Sequence, residues 1–278
     1  MFSDAKLIDS KNNAFFKRLV KISQNKEKAL CLLEGIHLCQ DFLAKADGWQ
    51  LKAAIFQASA LSKAANEANS ELMQLYQCLN TSPTILADQL FKQLCDVPSP
   101  QGVIFLIEPA QRPLDELLVD KTMVLVDRVQ DPGNLGTIIR TVAAAGIKQL
   151  VLSSGTVKAW SPKVLRSAQG AHFAITIFTE VDLTVLVNKL KLPIYATALS
   201  DAARSLYALD LARECAWLLG NEGQGVSREL LAQATAEVFI PQAEAVESLN
   251  VAVACGIILF EQRRQRLAQL ASSFYGQD

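Results

Sequence analysis

The residues best placed to do chemistry lie in three stretches of the second half of the chain. They read DPGNLGTIIRTVAAAG (131–146), LLGNEGQGVS (218–227) and VFIPQAEAVESLNVAVACGIILFEQ (238–262). Each sets a polar or glycine-rich turn against a strand or a helix start, where backbone N–H groups and small residues can hold a polar ligand. Gly220, Gly223 and Gly225 let a backbone approach a ligand closely or adopt positive φ, and a plain tight turn asks for the same residues. Their spacing does not fit the dinucleotide fingerprint G-x-G-x-x-G, and no acidic residue follows a second strand as that fingerprint requires. A nicotinamide-dependent oxidoreductase is therefore disfavoured.

Asp131-Pro132-Gly133-Asn134 is a turn signal ahead of a helical run at 135–145, which makes Asn134 a candidate helix cap. Arg140 sits within Ile138-Ile139-Arg140-Thr141-Val142. A charge on the apolar side of a helix needs a partner, either a carboxylate such as Glu222 or a substrate phosphate. Ser248 opens the last helix as its candidate cap, with Val251, Val253, Ala254 and Ile257 expected to pack inward. Glu244 and Glu247 suit the positive end of that helix.

These residues must be positioned by alternating elements. Residues 1–108 read as a small α/β domain: helical segments at 11–23, 36–46, 71–79 and 84–96, and strand-like runs at 29–35, 51–58 and 102–108. EPAQRPLDELL, with two prolines and clustered charge, marks a linker at 109–120. From 121 to 278, strand-like runs at 123–127, 149–153, 173–178, 193–198, 215–220 and 237–241 alternate with helices, and 248–270 forms a long terminal helix. Such alternation implies a largely parallel sheet covered on both faces. In such sheets ligands bind where loops diverge at the C-terminal ends of the strands. The loops after 198, 220 and 241 would then share one crevice.

At 278 residues, 50% hydrophobic and 20% charged, the chain suits two globular domains. The run 251–260 is too short to span a bilayer and MFSDAKLIDSKNN has no apolar signal-peptide core, so a cytoplasmic protein without a membrane segment is expected. Cys31, Cys39, Cys78, Cys95, Cys215 and Cys255 form no C-x-x-C pair and are expected as free thiols; His37 and His172 lie far apart, and no metal site is expected. The net charge of −1 does not identify a partner. Charge is uneven, however. Lys6, Lys11, Lys17, Arg18, Lys21, Lys26 and Lys28 face only Asp4, Asp9 and Glu27, and Arg263, Arg264 and Arg266 end the last helix.

The three motifs are similar, in order and spacing, to those of the SpoU/TrmH branch of the SPOUT RNA methyltransferases. N-x-G-x-x-x-R occurs at Asn134, Gly136 and Arg140, G-x-E-x-x-G at Gly220, Glu222 and Gly225, and S-L-N-V at Ser248–Val251. The first domain resembles the small substrate-binding domain found ahead of that core, through LLEGIHLCQDFLA (32–44) and SPQGVIFLI (99–107). The resemblance implies an α/β fold: a C-terminal SPOUT α/β-knot, trefoil-knotted around a mostly parallel sheet, preceded by a small α/β substrate-binding domain. It further implies a homodimer through the C-terminal domain, with active sites drawing on both subunits.

The implied activity is methyl transfer from S-adenosylmethionine to a ribose 2′-hydroxyl of RNA, 23S-type large-subunit rRNA first and tRNA second. A non-catalytic RNA-binding or ribosome-assembly protein on the same fold is the rival. By the resemblance, Thr197, Gly220, Gly225, Ile240 and Leu249 hold the cofactor, and Asn134, Arg140, Glu222, Ser248 and Asn250 line the acceptor side. Arg140 is commonly proposed as a base in this family. A guanidinium with a pKa above roughly 12 stays protonated, so Arg140 is read as holding a phosphate and stabilising the developing alkoxide. Family members usually carry Met-Gly after the Ile-Pro of the third motif, where this chain has Gln242-Ala243-Glu244-Ala245.

Overall fold

Short apolar runs and amphipathic helices assemble into two sheets. The computed structural model describes residues 6–27, 29–67, 69–243, 245 and 248–275; Asp4, Lys28, Glu244 and Glu247 lie outside the described residues. The chain divides into two compact units, Met1–Gln111 with Trp160–Arg166, and Arg112–Ala159 with Ser167–Asp278.

The first unit contains β1 (Lys6–Ile8), α1 (Ala14–Ser23), β2 (Cys31–Glu34), α2 (Ile36–Lys45), β3 (Gln50–Gln57), α3 (Ala58–Ala64), α4 (Glu71–Gln77), β4 (Thr84–Leu86), α5 (Asp88–Lys92) and β5 (Val103–Glu108). Its five strands lie in the order β1-β4-β3-β5-β2. The first three are parallel, and β5 runs antiparallel to both β3 and β2. Helix α1 starts where the Asn13 side chain accepts from the N–H groups of Phe15 (2.9 Å) and Phe16 (3.2 Å). It buries Phe16, Leu19 and Ile22 in a core with Ile55, Leu86, Phe91 and Ile104.

Three elements of this unit differ from expectation. Residues 84–96 were to be a single helix, but Thr84–Leu86 form a strand parallel to β3, and the helix is confined to Asp88–Lys92. A three-residue parallel strand is too short to show a period of two, so only the helical spacing was legible. Strand β1 and helix α3 also had no signal of their own.

The second unit contains β6 (Met123–Val126), α6 (Pro132–Ala144), β7 (Gln149–Ser153), β8 (Thr176–Val181), α8 (Leu183–Val187), β9 (Ile194–Thr197), β10 (Arg204–Ser205), β11 (Ala216–Leu219), α9 (Arg228–Gln233), β12 (Ala236–Phe239) and α10 (Val251–Tyr275), while α7 (Pro162–Ala168) falls mostly in the first. Its seven strands, in the order β10-β12-β9-β11-β6-β7-β8, are all paired in parallel. Every residue of β6, β7 and β11 is buried, as continuous apolar strands in a sheet covered on both faces must be. The strand expected at 173–178 begins later, because a 3-10 turn takes up Ala171–Ala174.

Helix α10 starts at Val251, not at Ser248. Its buried side includes Ala252, Cys255, Ile258 and Leu259, and Val253, expected inward, is 52% exposed. The apolar face is thus one position out of register with the expected one. Polar side chains fix the helix lengthwise. The buried Gln262 accepts from Trp217 Nε1 (3.0 Å) and donates to Cys215 Sγ (3.0 Å). Gln265 accepts from Leu211 N (2.8 Å), Arg263 donates to the Ala145 carbonyl (3.0 Å), and Arg266 donates to Thr122 Oγ1 (2.6 Å). The C-terminal arginine group is therefore partly consumed in docking the helix. No described helix is long and apolar enough to cross a membrane.

Candidate active site

Strands β12, β9 and β11 are neighbours, so the loops leaving their C-terminal ends converge. Together with the start of α10 they enclose a cavity of about 560 Å³. Thr197, Gly220, Gly225, Ile240 and Leu249 all line it, as do Leu199, Glu222, Ser248 and Asn250. The volume lies in the roughly 300–1,000 Å³ range of small-molecule sites. Three segments separated by long stretches of sequence thus meet at one place.

The glycines of the β11 loop can now be assigned. A Cβ on Gly220 would lie 2.1 Å from Gly225 C and Val226 N, so the loop's own return limb demands glycine there. Two hydrogen bonds close that loop, Asn221 N to Gly225 O (3.0 Å) and Gly225 N to Asn221 O (2.8 Å). Gly225 is at φ +68°, in the left-handed region, with nothing within 4 Å of its would-be Cβ. Asn221, which the motif reading passed over, shapes the turn by accepting from Gly223 N and Gln224 N, both at 3.0 Å. Its signal was in the sequence: an Asn followed by glycine-rich polar residues is an Asx-turn former.

On the rim, motif residues form one hydrogen-bonded chain. Glu222 accepts from Gln130 N (3.1 Å), Asp131 N (3.0 Å) and Asn134 Nδ2 (3.0 Å). Asn134 Oδ1 accepts from Asn250 Nδ2 at 2.9 Å. Asn250 Oδ1 in turn accepts from Ala252 N (2.9 Å) and Val253 N (3.3 Å), capping α10. Only one orientation of each amide satisfies all these donors, so the chain is directional.

Two expected caps are corrected by this arrangement. Helix α6 starts at Pro132 with Asp131 as cap, its side chain accepting from Asn134 N at 2.8 Å. That leaves the Asn134 side chain for Glu222 and Asn250. Ser248 is exposed on the cavity lining, and Asn250 caps α10 instead. Burial pushes the Glu222 carboxyl up, but the hydrogen bonds from the Asn134 side chain and from the backbone N–H groups of Gln130, Asp131 and Glu222 itself outweigh it. The carboxyl titrates below its ordinary value of 4.5. Glu222 is an ionised, hydrogen-bonded anchor at neutral pH.

Arg140 is not in this chain. It is exposed, and it makes no hydrogen bond or ion pair with any described residue. Six residues beyond Asn134 on α6, it lies about 9 Å along the helix and roughly 120° around it. Arg140 therefore lies on the exposed side of α6 and not on its apolar side, and of its two candidate partners Glu222 is taken up by backbone donors and Asn134.

The residues present fit S-adenosylmethionine. The walls offer apolar side chains at Leu199, Ile240 and Leu249 and backbone polar groups from three loops, and among the described residues the one charged side chain is the Glu222 anchor.

Residues 121–260 match the model of the SpoU rRNA Methylase family. An uncharacterized tRNA/rRNA methyltransferase of Synechocystis sp. is 33% identical over 272 residues, covering 96% of each chain. The 23S rRNA (guanosine(2553)-2′-O)-methyltransferase RlmP of Bacillus subtilis is 33% identical over 264 residues, 93% of this chain and 99% of that one. The crystal structure of an AdoMet-bound rRNA methyltransferase from Sinorhizobium meliloti superposes with a TM-score of 0.78 at 29% identity, covering 94% of this chain and 98% of that one.

Proposed function

The chain belongs to the SpoU rRNA methylase family, and from that premise we propose how it works: it uses S-adenosylmethionine to methylate a ribose 2′-hydroxyl of RNA, large-subunit rRNA first and tRNA second. One observation carries the reading. The loops after β9, β11 and β12 close on a single cavity, and the Glu222–Asn134–Asn250 chain runs along its rim.

When bound, the sulfonium supplies an already activated methyl group. The chain's own task is therefore to align an in-line attack and help the 2′-hydroxyl lose its proton. Thr197, Gly220, Gly225, Ile240 and Leu249 hold the cofactor, largely through backbone groups. Asn134, Ser248 and Asn250 orient the acceptor ribose. Glu222 acts through Asn134, since its own oxygens are already hydrogen-bonded. The exposed, permanently charged Arg140 holds an RNA phosphate beside the acceptor and stabilises the alkoxide as it develops.

The enzyme works as a homodimer through its C-terminal domain. Val253, Phe260 and Leu267, spaced by seven residues on α10, are 52%, 49% and 53% exposed, an apolar stripe that a second subunit would cover. Arg140, unattached in one subunit, would then serve the acceptor side of the other. Strand order supports a trefoil knot: β11 lies between β6 and β9, and β12 between β9 and β10, so the chain returns twice to the interior of the sheet. Residues 1–108 act as the RNA substrate-binding domain, with 109–120 as linker. The free cysteines support a reducing, cytoplasmic setting, and no metal takes part.

The test is methyl transfer from labelled S-adenosylmethionine to rRNA, with 2′-O-methyl marks mapped in cells with and without the protein. A single large-subunit mark should disappear. Loss of a tRNA mark alone moves the assignment to tRNA, and no transfer with no cofactor binding refutes the reading. Arg140→Ala should keep S-adenosylhomocysteine binding and lose methyl transfer; undiminished turnover overturns its role.

A further inference from the structure

Just beyond β6 the chain does something costly. Arg128 has φ +56°, a left-handed backbone that a residue with a long side chain adopts only when its surroundings enforce it. Its N–H donates to Ser153 Oγ at 2.9 Å. Its carbonyl, turned by that conformation, accepts from Asn221 Nδ2 (2.8 Å) and Gln130 Nε2 (3.1 Å). The guanidinium forks onto the buried Asp127, Nε to Oδ1 at 2.8 Å and Nη2 to Oδ2 at 3.1 Å, and Nη1 reaches Gln224 Oε1 at 3.4 Å. Asp127 Oδ2 also accepts from Ser227 N at 2.9 Å.

Two adjacent residues therefore tie the β11 loop at Asn221 near its start, at Gln224 on its tip and at Ser227 on its exit. That loop is one wall of the cavity and carries Glu222. We propose that Arg128 is a positioning residue that fixes this wall for the cofactor, its carbonyl holding Asn221 and its side chain, braced on Asp127, reaching Gln224, with the side-chain arm being the one the variants remove; the proposal rests on the S-adenosylmethionine reading above. Its fork is committed to Asp127, so it is not a ligand for RNA phosphate. A lysine could keep the charge beside Asp127 but not the fork with its reach to Gln224.

The test compares the full-length wild type with Arg128→Ala, Arg128→Gly and Arg128→Lys. S-adenosylhomocysteine affinity is measured by calorimetry, RNA affinity across salt, and folding by urea denaturation. Arg128→Ala should bind S-adenosylhomocysteine roughly tenfold more weakly, equivalent to about 1.4 kcal/mol. Its KM for S-adenosylmethionine should rise in step, while kcat at saturating cofactor changes less than about threefold. Arg128→Lys should fall between wild type and alanine. Arg128→Gly relieves the left-handed backbone and should resist urea better than Arg128→Ala, yet lose the same affinity. Unchanged affinity in Arg128→Ala overturns the proposal. So does recovery of affinity in Arg128→Gly, which would make the effect one of backbone strain, or a loss of RNA affinity with a shallower salt dependence, which would make Arg128 a phosphate contact. A wild type that binds no S-adenosylhomocysteine overturns the cofactor reading itself, and this proposal with it.

Discussion

Replacing Glu222 by glutamine asks whether the rim chain is a working part. The carboxylate now accepts from Asp131 N and Asn134 Nδ2 on one oxygen, at 3.0 Å each, and from Gln130 N at 3.1 Å on the other. An amide keeps one acceptor and turns an NH₂ toward a donor. Its best orientation retains the first pair and loses the bond to Gln130. Hydrogen bonds to charged groups are worth about 1.5–3 kcal/mol, and exposure of this group places the loss at the lower end. Global stability should therefore fall by about 1–2 kcal/mol. Catalysis should suffer more, because Asn134 is held by Glu222 and in turn receives Asn250; a misplacement of 1 Å can cost roughly a hundredfold.

Single-turnover methyl transfer should therefore drop on the order of a hundredfold in Glu222→Gln, with S-adenosylhomocysteine binding within a few-fold of wild type. The decisive experiment is the double variant. If Glu222 acts only through Asn134, Glu222→Gln/Asn134→Ala should be no slower than Asn134→Ala alone. Additive losses, or a Glu222→Gln rate within about threefold of wild type, refute the argument. The folded-state value of Glu222 is depressed, so its contribution to stability is complete above its ordinary 4.5 and is lost as pH falls through the lower folded value. Neutral pH leaves it ionised.

Three further outcomes are expected. Burial lowers the pKa of His172 from its ordinary 6.5 to about 4, against a hydrogen bond with the Ala159 carbonyl. The unfolded chain binds the extra proton in that window, so stability falls as pH drops from 6.5 toward 4, and His172→Leu should narrow its gap to wild type by about 2 kcal/mol between pH 7 and pH 5 in urea titrations. Gln262→Leu strands the buried Trp217 N–H and should cost about 1–3 kcal/mol, read from the same midpoint. Gly220→Ala drives a methyl against Gly225 and Val226 backbone, which cannot yield, and should weaken S-adenosylhomocysteine binding by at least about tenfold in calorimetry.

What the sequence disclosed follows from how loops and caps are specified. Motifs that sit just after apolar strands are carried to one edge once those strands pair in parallel, so Leu199, Gly220 and Ile240 share a cavity without their side chains having to find one another. Cap positions were less legible because each helix start offers two suitable residues. In DPGN, Asp131 and Asn134 are both residue types that can accept from an N–H, and in SLN so are Ser248 and Asn250. Where the chain enters the helix decides between them, and that is a tertiary fact. The register of α10 departs from the expected one at Val253 for a related reason. Gln262, Arg263, Gln265 and Arg266 lock the helix to distant loops, and none of those partners is near in sequence.

The same geometry explains how an RNA enzyme can carry a net charge of −1. Arg263 and Arg266 are spent on carbonyl and hydroxyl partners, Arg128 on Asp127, Arg18 on Glu27 and Arg264 on Glu261. The three that are paired with carboxylates contribute little net field for phosphate. Arg140 is different: a helix whose first turn is anchored by Asp131 and Asn134 holds this guanidinium at a fixed offset, exposed and unpaired among the described residues. In the proposed reaction, one cation held beside the ribose would lower the barrier more than many dispersed ones, because it needs no reorganisation when the alkoxide develops. A chain built this way relies less on bulk charge than on where α6 begins, and the start of α6 is set by the residues that also hold Glu222.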